Sequence, residues 1–222
     1  MNHPMYQNAV ARPSTAIANR VLRNTYALLA MLFVFGAGTA WVAQAMHWRI
    51  GFWPFLIGIF AFSYAIGATR NSGWGIVVGF AFAGFLGVMT GANVDRALYQ
   101  YGNGGELVAG AFGLTAFSFF ALSAYAMNTK RDFSNMFAFL TVGVIVGIGA
   151  MVLNYFLAMP ALWLALSVMF ILLASGWIIW QTQRIVQGGE TNYIIAATGL
   201  LADIFVLFNN LLHLLGFGFG ED

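Results

Sequence analysis

The last long apolar stretch of the chain carries three polar side chains that could do chemistry. Asp203, Asn210 and His213 stand seven and three residues apart, which places them near one face of a helix. Asp203 is about nine residues into that stretch, so it would lie roughly 13 Å along the helix, close to the middle of a bilayer. A carboxylate at that depth costs about 2.5–3.5 kcal/mol and usually faces a bundle interior or a water-filled cavity. The spacing therefore predicts a polar strip for protons or cations, with Asp203 as the titrating group and a transient cation ligand.

Asp203 has a second interpretation, in which its side chain only holds helices together. A single buried carboxyl group can hydrogen-bond across a helix interface without any transport. Asn209 points about 100° away from Asn210, toward another helix, and is expected to act in this way. His213 by itself is typical of a hydrogen-bonded interior residue, and no other histidine stands at a spacing suited to haem or zinc. The sequence leaves transport and packing open as roles for Asp203.

The residue types that intramembrane enzymes need are missing or misplaced. The chain has no cysteine, which excludes thiolate, iron–sulfur and disulfide chemistry. Its only lysine, Lys130, lies outside the apolar stretches, so no Schiff base can form within a span. Ser175-Gly176 lacks the first glycine of a Gly-x-Ser-Gly elbow, where Leu173 stands instead. We therefore expect neither enzymatic activity nor a cofactor.

The elements that must position these residues are membrane-spanning helices. Of the 222 residues, 61% are hydrophobic and 7% are charged, whereas about 25% of the residues in a soluble domain are charged. Seven apolar runs are long enough to cross a bilayer, at residues 25–46, 50–69, 73–93, 107–127, 134–157, 161–182 and 194–217. The predicted fold is an all-α integral membrane protein, a bundle of seven transmembrane helices. Its parts are a basic tail at 1–24, the bundle at 25–217 and a short C-terminal tail at 218–222.

The basic residues predict how the bundle lies in the membrane. With a cytoplasmic N-terminus, seven of the nine Lys and Arg residues fall on the cytoplasmic side, and Arg49 and Arg96 fall on the other side. An odd number of spans then places the C-terminus outside, together with Asp95 and Glu106. The lipid bilayer is thus the first expected partner, and the net charge of +2 gives no support for nucleic acid binding.

A stripe of small residues runs along the third predicted span. Its members recur every four residues, at Gly75, Gly79, Ala83, Gly87 and Gly91. Small residues at this spacing let the backbone of a second membrane helix approach closely. Tight helix packing is the expected role, and the lining of a pore or a hinge is the alternative.

Several short motifs occur in an order that resembles a known family. They lie at residues 21–26 before the first span, 80–87 in the third, 188–194 before the last, and 200–203, 207–212 and 215–216 within the last. Over residues 20–220 they resemble the Bax inhibitor-1 family, in its bacterial YccA-like branch. The resemblance implies a seven-helix bundle whose last helix is central. Together with the charge distribution, it predicts a multi-pass protein of the bacterial inner membrane, with a cytoplasmic N-terminus and a periplasmic C-terminus.

The resemblance also implies a function, a pH-sensitive leak of calcium or other cations. In members with that activity, an aspartate on helix six and one on helix seven share a proton, and an arginine at the end of helix two binds them. Asp203 matches the helix-seven aspartate and Arg70 the arginine, whereas Gln181 stands at the helix-six position and offers only a hydrogen bond. We expect the pathway for calcium or protons to run along these three residues with Asn210 and His213. The alternative is a non-conducting modulator or substrate of the FtsH-type membrane protease, with the basic tail as its cytoplasmic contact.

Overall fold

Seven long helices make up the computed structural model, which describes residues 15–221. They are α1 (Thr15–Ala45), α2 (Phe52–Thr69), α3 (Trp74–Gln100), α4 (Gly104–Asn128), α5 (Met136–Leu157), α6 (Pro160–Val186) and α7 (Tyr193–Phe219). Each is long and apolar enough to cross a membrane. The predicted all-α fold with seven membrane-spanning helices is confirmed.

Local residue choices explain where several helices begin and end. Pro160 is the first residue of α6, where its missing N–H costs no helical hydrogen bond. Asn192 caps α7, because its side-chain oxygen accepts hydrogen bonds from the backbone N–H groups of Ile194 and Ile195 at 3.0 and 3.2 Å. After the last residue of α5, Ala158 adopts the left-handed conformation with φ of 50°. The connections between helices are short, and the longest is the seven-residue segment 129–135.

Five helices are longer than the spans predicted from hydropathy, and the difference is largest for α1 and α3. α1 begins at Thr15, so the described part of the predicted tail is helical, and residues 1–14 with Arg12 lie outside the described residues. α3 continues to Gln100 and does not end at residue 93. Hydropathy locates only the apolar part of a helix, because the hydrogen-bonded backbone can continue into the polar interface. Arg20 and Arg23, for example, are exposed on the first turns of α1.

The last helix lies at the centre of the bundle, as the resemblance implied. α7 packs against α1, α2, α3, α4 and α6. Its residues Ala197, Leu200 and Leu201 are completely buried. α2 and α5 lie at the periphery, where few of their side chains are buried. The central position of α7 brings its polar side chains within reach of several neighbouring helices.

α1 and α3 form the most extensive helix pair of the bundle. A Cβ atom on Gly87 would overlap the carbonyl oxygen of Gly36 and Oγ1 of Thr39, and one on Gly91 would overlap the carbonyl oxygen of Ala40. The two backbones are therefore in direct contact along the C-terminal half of the small-residue stripe.

The N-terminal half of the stripe faces other parts of the bundle. A Cβ atom on Gly79 would lie 3.4 Å from the methyl group of Thr198 on α7. One on Gly75 would lie 3.1 Å from Ile194 and 2.7 Å from the carbonyl oxygen of Thr69. Ala83, between the two halves, is completely buried. The stripe thus lies against α1 and α7 and not against lipid.

Candidate functional site

Asp203 is held by a side chain from the neighbouring helix. Gln181 Nε2 on α6 donates a hydrogen bond to Asp203 Oδ2 on α7. Gly199, one turn before Asp203, leaves the space for this contact, because a Cβ atom there would overlap Gln181 Oε1. Asp203 is half-buried. The structure therefore brings together two of the predicted site residues and adds Gly199 as the residue that lets them meet.

Asn210 and His213 do not join that pair. Asn210 Nδ2 donates to the carbonyl oxygen of Val206 on its own helix, at 2.8 Å. His213 Nδ1 lies 2.9 Å from Ser167 Oγ on α6. Within residues 15–221, no hydrogen bond connects Asp203, Asn210 and His213 to one another. The predicted strip is thus three separate polar contacts on one helix.

Arg70 follows the last residue of α2, and its side chain does not bind Asp203. Its side chain is exposed, and no ion pair joins it to Asp203 among the described residues. Its backbone carbonyl accepts a hydrogen bond of 2.8 Å from Asn192 Nδ2. Asn192 also accepts from the first N–H groups of α7, so it ties the turn after α2 to the start of the last helix.

The loop before α7 contains part of the motif that carried the family resemblance. Gly188 has φ of 75°, a conformation that favours glycine. Glu190 pairs with Arg184 at 3.5 Å and accepts a hydrogen bond from the backbone N–H of Asn192 at 2.9 Å. This motif therefore fixes the geometry with which α6 turns into α7.

Asn209 connects α7 to α3, as its predicted direction required. Asn209 Nδ2 donates to Thr90 Oγ1, and Asn93 Nδ2 donates to Asn209 Oδ1, both at 2.8 Å. Two interhelical hydrogen bonds thus lie on the side of α7 that faces α3.

Asp95 is a buried carboxylate within a helix, which corrects the prediction that it lies outside, beyond the end of the third span. It belongs to α3 and is 1% exposed. His47 Nδ1 is hydrogen-bonded to Asp95 Oδ1 at 2.8 Å, and Arg49 lies 3.8 Å from Oδ2. In the sequence, His47 and Arg49 directly after the first span could have indicated basic partners for this carboxylate. The contact was not predicted because the third span was expected to end two residues before Asp95.

Metal binding is not supported by the arrangement around Asp203. Across residues 15–221, no group of three or more His, Cys, Asp or Glu side chains could hold a metal ion. A lone carboxylate with one amide donor can neutralise a passing cation but offers too few ligands for a resident one.

A long apolar groove, which we call the α1/α4 groove, runs through the bundle. It has a volume of about 760 Å³ and lies between α1 and α4, with residues of α3 and α7 completing its wall. Cα atoms of α1 and α4 come no closer than 8 Å in the described residues, and two pairs of aromatic rings lie across the gap. Tyr26 meets Phe119 at 6.1 Å between ring centroids, and Phe33 meets Phe112 at 6.3 Å. The residues that line the groove do not include Asp203 or Gln181.

Comparison with known proteins shows similarity over nearly the whole chain. A family model described as inhibitor of apoptosis-promoting Bax1 matches residues 18–220. The chain is 39% identical over 207 residues to the Modulator of FtsH protease YccA of Escherichia coli K12, covering 93% of this chain and 94% of that protein. The Inner membrane protein YccA of Escherichia coli O6:H1 gives the same identity and coverage. An uncharacterized membrane protein of Vibrio cholerae is 38% identical over 224 residues, covering 97% of both chains.

Proposed function

We propose, from the premise that the chain belongs to the family of inhibitors of apoptosis-promoting Bax1, that it modulates an FtsH-type protease in a bacterial inner membrane. The family membership confirms the resemblance seen in the sequence motifs. The observation that carries the proposal is the 39% identity, over 93% of the chain, to a protein named as a modulator of that protease. The names of these relatives describe a modulator and an inner membrane protein, and we propose that this chain acts without enzymatic activity of its own.

The short connections limit where a protease could be contacted. No connection between the described helices exceeds seven residues, so these loops form no separate domain outside the membrane. Contact is left to the lipid-facing sides of the helices and to the N-terminal residues before α1. Those residues include Arg12 and, with Arg20 and Arg23 on α1, form a segment without acidic residues. We take this basic N-terminal segment as the contact with the cytoplasmic part of the protease.

The test is proteolysis in a defined membrane. Purified FtsH-type protease and a membrane substrate are reconstituted in liposomes with increasing amounts of this protein, and the half-life of the substrate is measured. We expect the half-life to change until the protein is equimolar with the protease. An unrelated polytopic protein at the same molar ratio is the control. If the two proteins give the same half-life at saturation, the proposal is wrong.

The same assay separates modulator from substrate and tests the contact. If this protein is degraded at the same rate as the membrane substrate, it is itself a substrate that competes for the protease. A variant lacking residues 2–14 is expected to lose the effect, whereas a variant with those residues scrambled keeps length and charge and is expected to retain part of it. Equal activity of the deletion variant and the parent would move the contact to the helices.

A cation leak is the second candidate, and the Gln181–Asp203 contact favours it. That contact places an acidic group inside the span of α7, next to an amide that can reorient. Calcium and proton flux in proteoliposomes between pH 5 and 8 tests it. Asp203→Asn keeps the shape but removes the ionisation, so any pH dependence set by this residue should vanish. Gln181→Asp creates two facing carboxyl groups, which should titrate in two steps. Absence of flux at every pH would refute the leak.

A further inference from the structure

The α1/α4 groove runs along most of the thickness of a membrane and has room for a hydrocarbon chain. On α1 its wall runs from Tyr26 to Gln44, which is about 27 Å of helix, whereas a bilayer core is about 30 Å thick. The groove has a volume of about 760 Å³ and is open along one side, where Ala30, Ala37 and Phe120 are exposed. A chain of carbon atoms, which makes contacts at about 3.5–4.0 Å, fits such a space.

The wall of the groove has the chemistry of an acyl-chain site. Phe33, Phe119 and Phe205 supply aromatic surface, and Ala30 and Ala37 leave space between them. The groove reaches inward to Phe205 on the central helix α7, while its outer wall is exposed. A lipid chain that enters the groove therefore gains dispersion contacts with several helices at once.

The end of the groove near Tyr26 lies beside a second cavity with a basic residue. This cavity of about 420 Å³ is lined by Asn19, Leu22, Arg23, Tyr26 and Met127, so Tyr26 lies in the walls of both. The hydroxyl group of Tyr26 is buried and has no hydrogen-bond partner in the described part of the chain.

Further charges at the same end favour an anionic ligand. Arg20 is exposed near Arg23, and Lys130 and Arg131 are exposed after the end of α4. The carboxylate of the α4–α5 loop is Asp132, whose pKa is lowered by hydrogen bonds from Ser134, so it stays ionised. Four basic residues against one acid leave an excess of three positive charges at this end.

We propose that the α1/α4 groove binds one anionic phospholipid, with an acyl chain in the groove and the phosphate beside Arg23. The chain gains contacts with α1, α4 and α7, and the basic end selects a negatively charged headgroup. The site is separate from Asp203, and its basic end shares Arg20 and Arg23 with the proposed contact with the protease. It makes a structural lipid part of the α1–α4 side of the bundle, where protein packing is incomplete.

The test is lipid retention by the purified full-length protein, measured by native mass spectrometry with phosphatidylglycerol and phosphatidylethanolamine offered in equal amounts. We expect one bound lipid per protein and a preference of about fivefold for phosphatidylglycerol, the effect of roughly one basic residue near a lipid phosphate. Arg23→Gln should keep the bound lipid but lose the preference.

The decisive test is a substitution that fills the groove with a larger side chain. Ala37→Phe should abolish retention, whereas Val34→Phe, at a position 71% exposed on the same helix, should retain lipid as the parent does. Ala30→Phe serves as the filling variant if Ala37→Phe does not fold by circular dichroism. Retention unchanged in both filling variants, or no lipid on the parent, would overturn the proposal. So would a preference that survives Arg23→Gln.

Discussion

A single methyl group on Gly87 should separate α1 from α3. The Cβ atom of Gly87→Ala would overlap the backbone carbonyl oxygen of Gly36, which cannot rotate away as a side chain can. It would also overlap Oγ1 of Thr39, which donates a hydrogen bond of 2.8 Å to that same carbonyl. The two helices must therefore move apart, and the most extensive interface of the bundle loses packing.

The expected loss of stability follows from two opposing effects. Replacing glycine by alanine in a helix gains about 0.5–1 kcal/mol, and overpacking an interface costs about 1–3 kcal/mol. The backbone contact places the cost at about 2–3 kcal/mol, the upper end of its range, so the net loss is about 1–2.5 kcal/mol. At about 2–4 °C per kcal/mol for a chain of this size, the melting temperature should fall by roughly 2–10 °C.

Gly38→Ala is the matched control for this prediction. Gly38 lies on α1, two residues after Gly36, and a Cβ atom there would meet nothing within 4 Å. It gains helix propensity at no steric cost, so its melting temperature should rise by about 1–4 °C. The assay is thermal unfolding of the detergent-solubilised variants. If Gly87→Ala melts at or above the parent while Gly38→Ala is stabilised, the close contact between α1 and α3 is wrong.

Three further predictions concern the other polar contacts and the topology. Asn209→Leu should lower the melting temperature through loss of two hydrogen bonds to α3, each worth about 0.5–1.5 kcal/mol, whereas Asn210→Leu, which breaks only a contact within α7, should change it less. His47→Leu should destabilise the protein by about 1–3 kcal/mol, because it leaves the buried Asp95 carboxylate with only Arg49 nearby; a melting temperature equal to that of the parent would show that the pair contributes nothing. A C-terminal alkaline phosphatase fusion should be active and a C-terminal fluorescent fusion dark, and the reverse pattern would contradict the predicted orientation.

The sequence predicted single residues of the candidate site but not the contacts between them. Asp203 stood out because an acid in an apolar run is costly, and Gln181 was reached only through the family resemblance. That the two are hydrogen-bonded depends on Gly199, whose missing side chain leaves the space. The sequence shows the glycine but not which neighbour occupies that space.

Fold class, number of spans and the direction of Asn209 were determined by the sequence alone, because they depend on local properties. Apolar length and helical periodicity act within one segment of the chain, and the absence of water in a bilayer leaves helices as the only structure for such segments. The burial of Asp95, the separate partners of Asn210 and His213, and the α1/α4 groove were decided by the tertiary structure. They depend on which helices become neighbours and how closely their backbones approach. Both are set by the sum of contacts between segments far apart in the chain, such as the backbone of Gly87 against that of Gly36, and no local pattern records them.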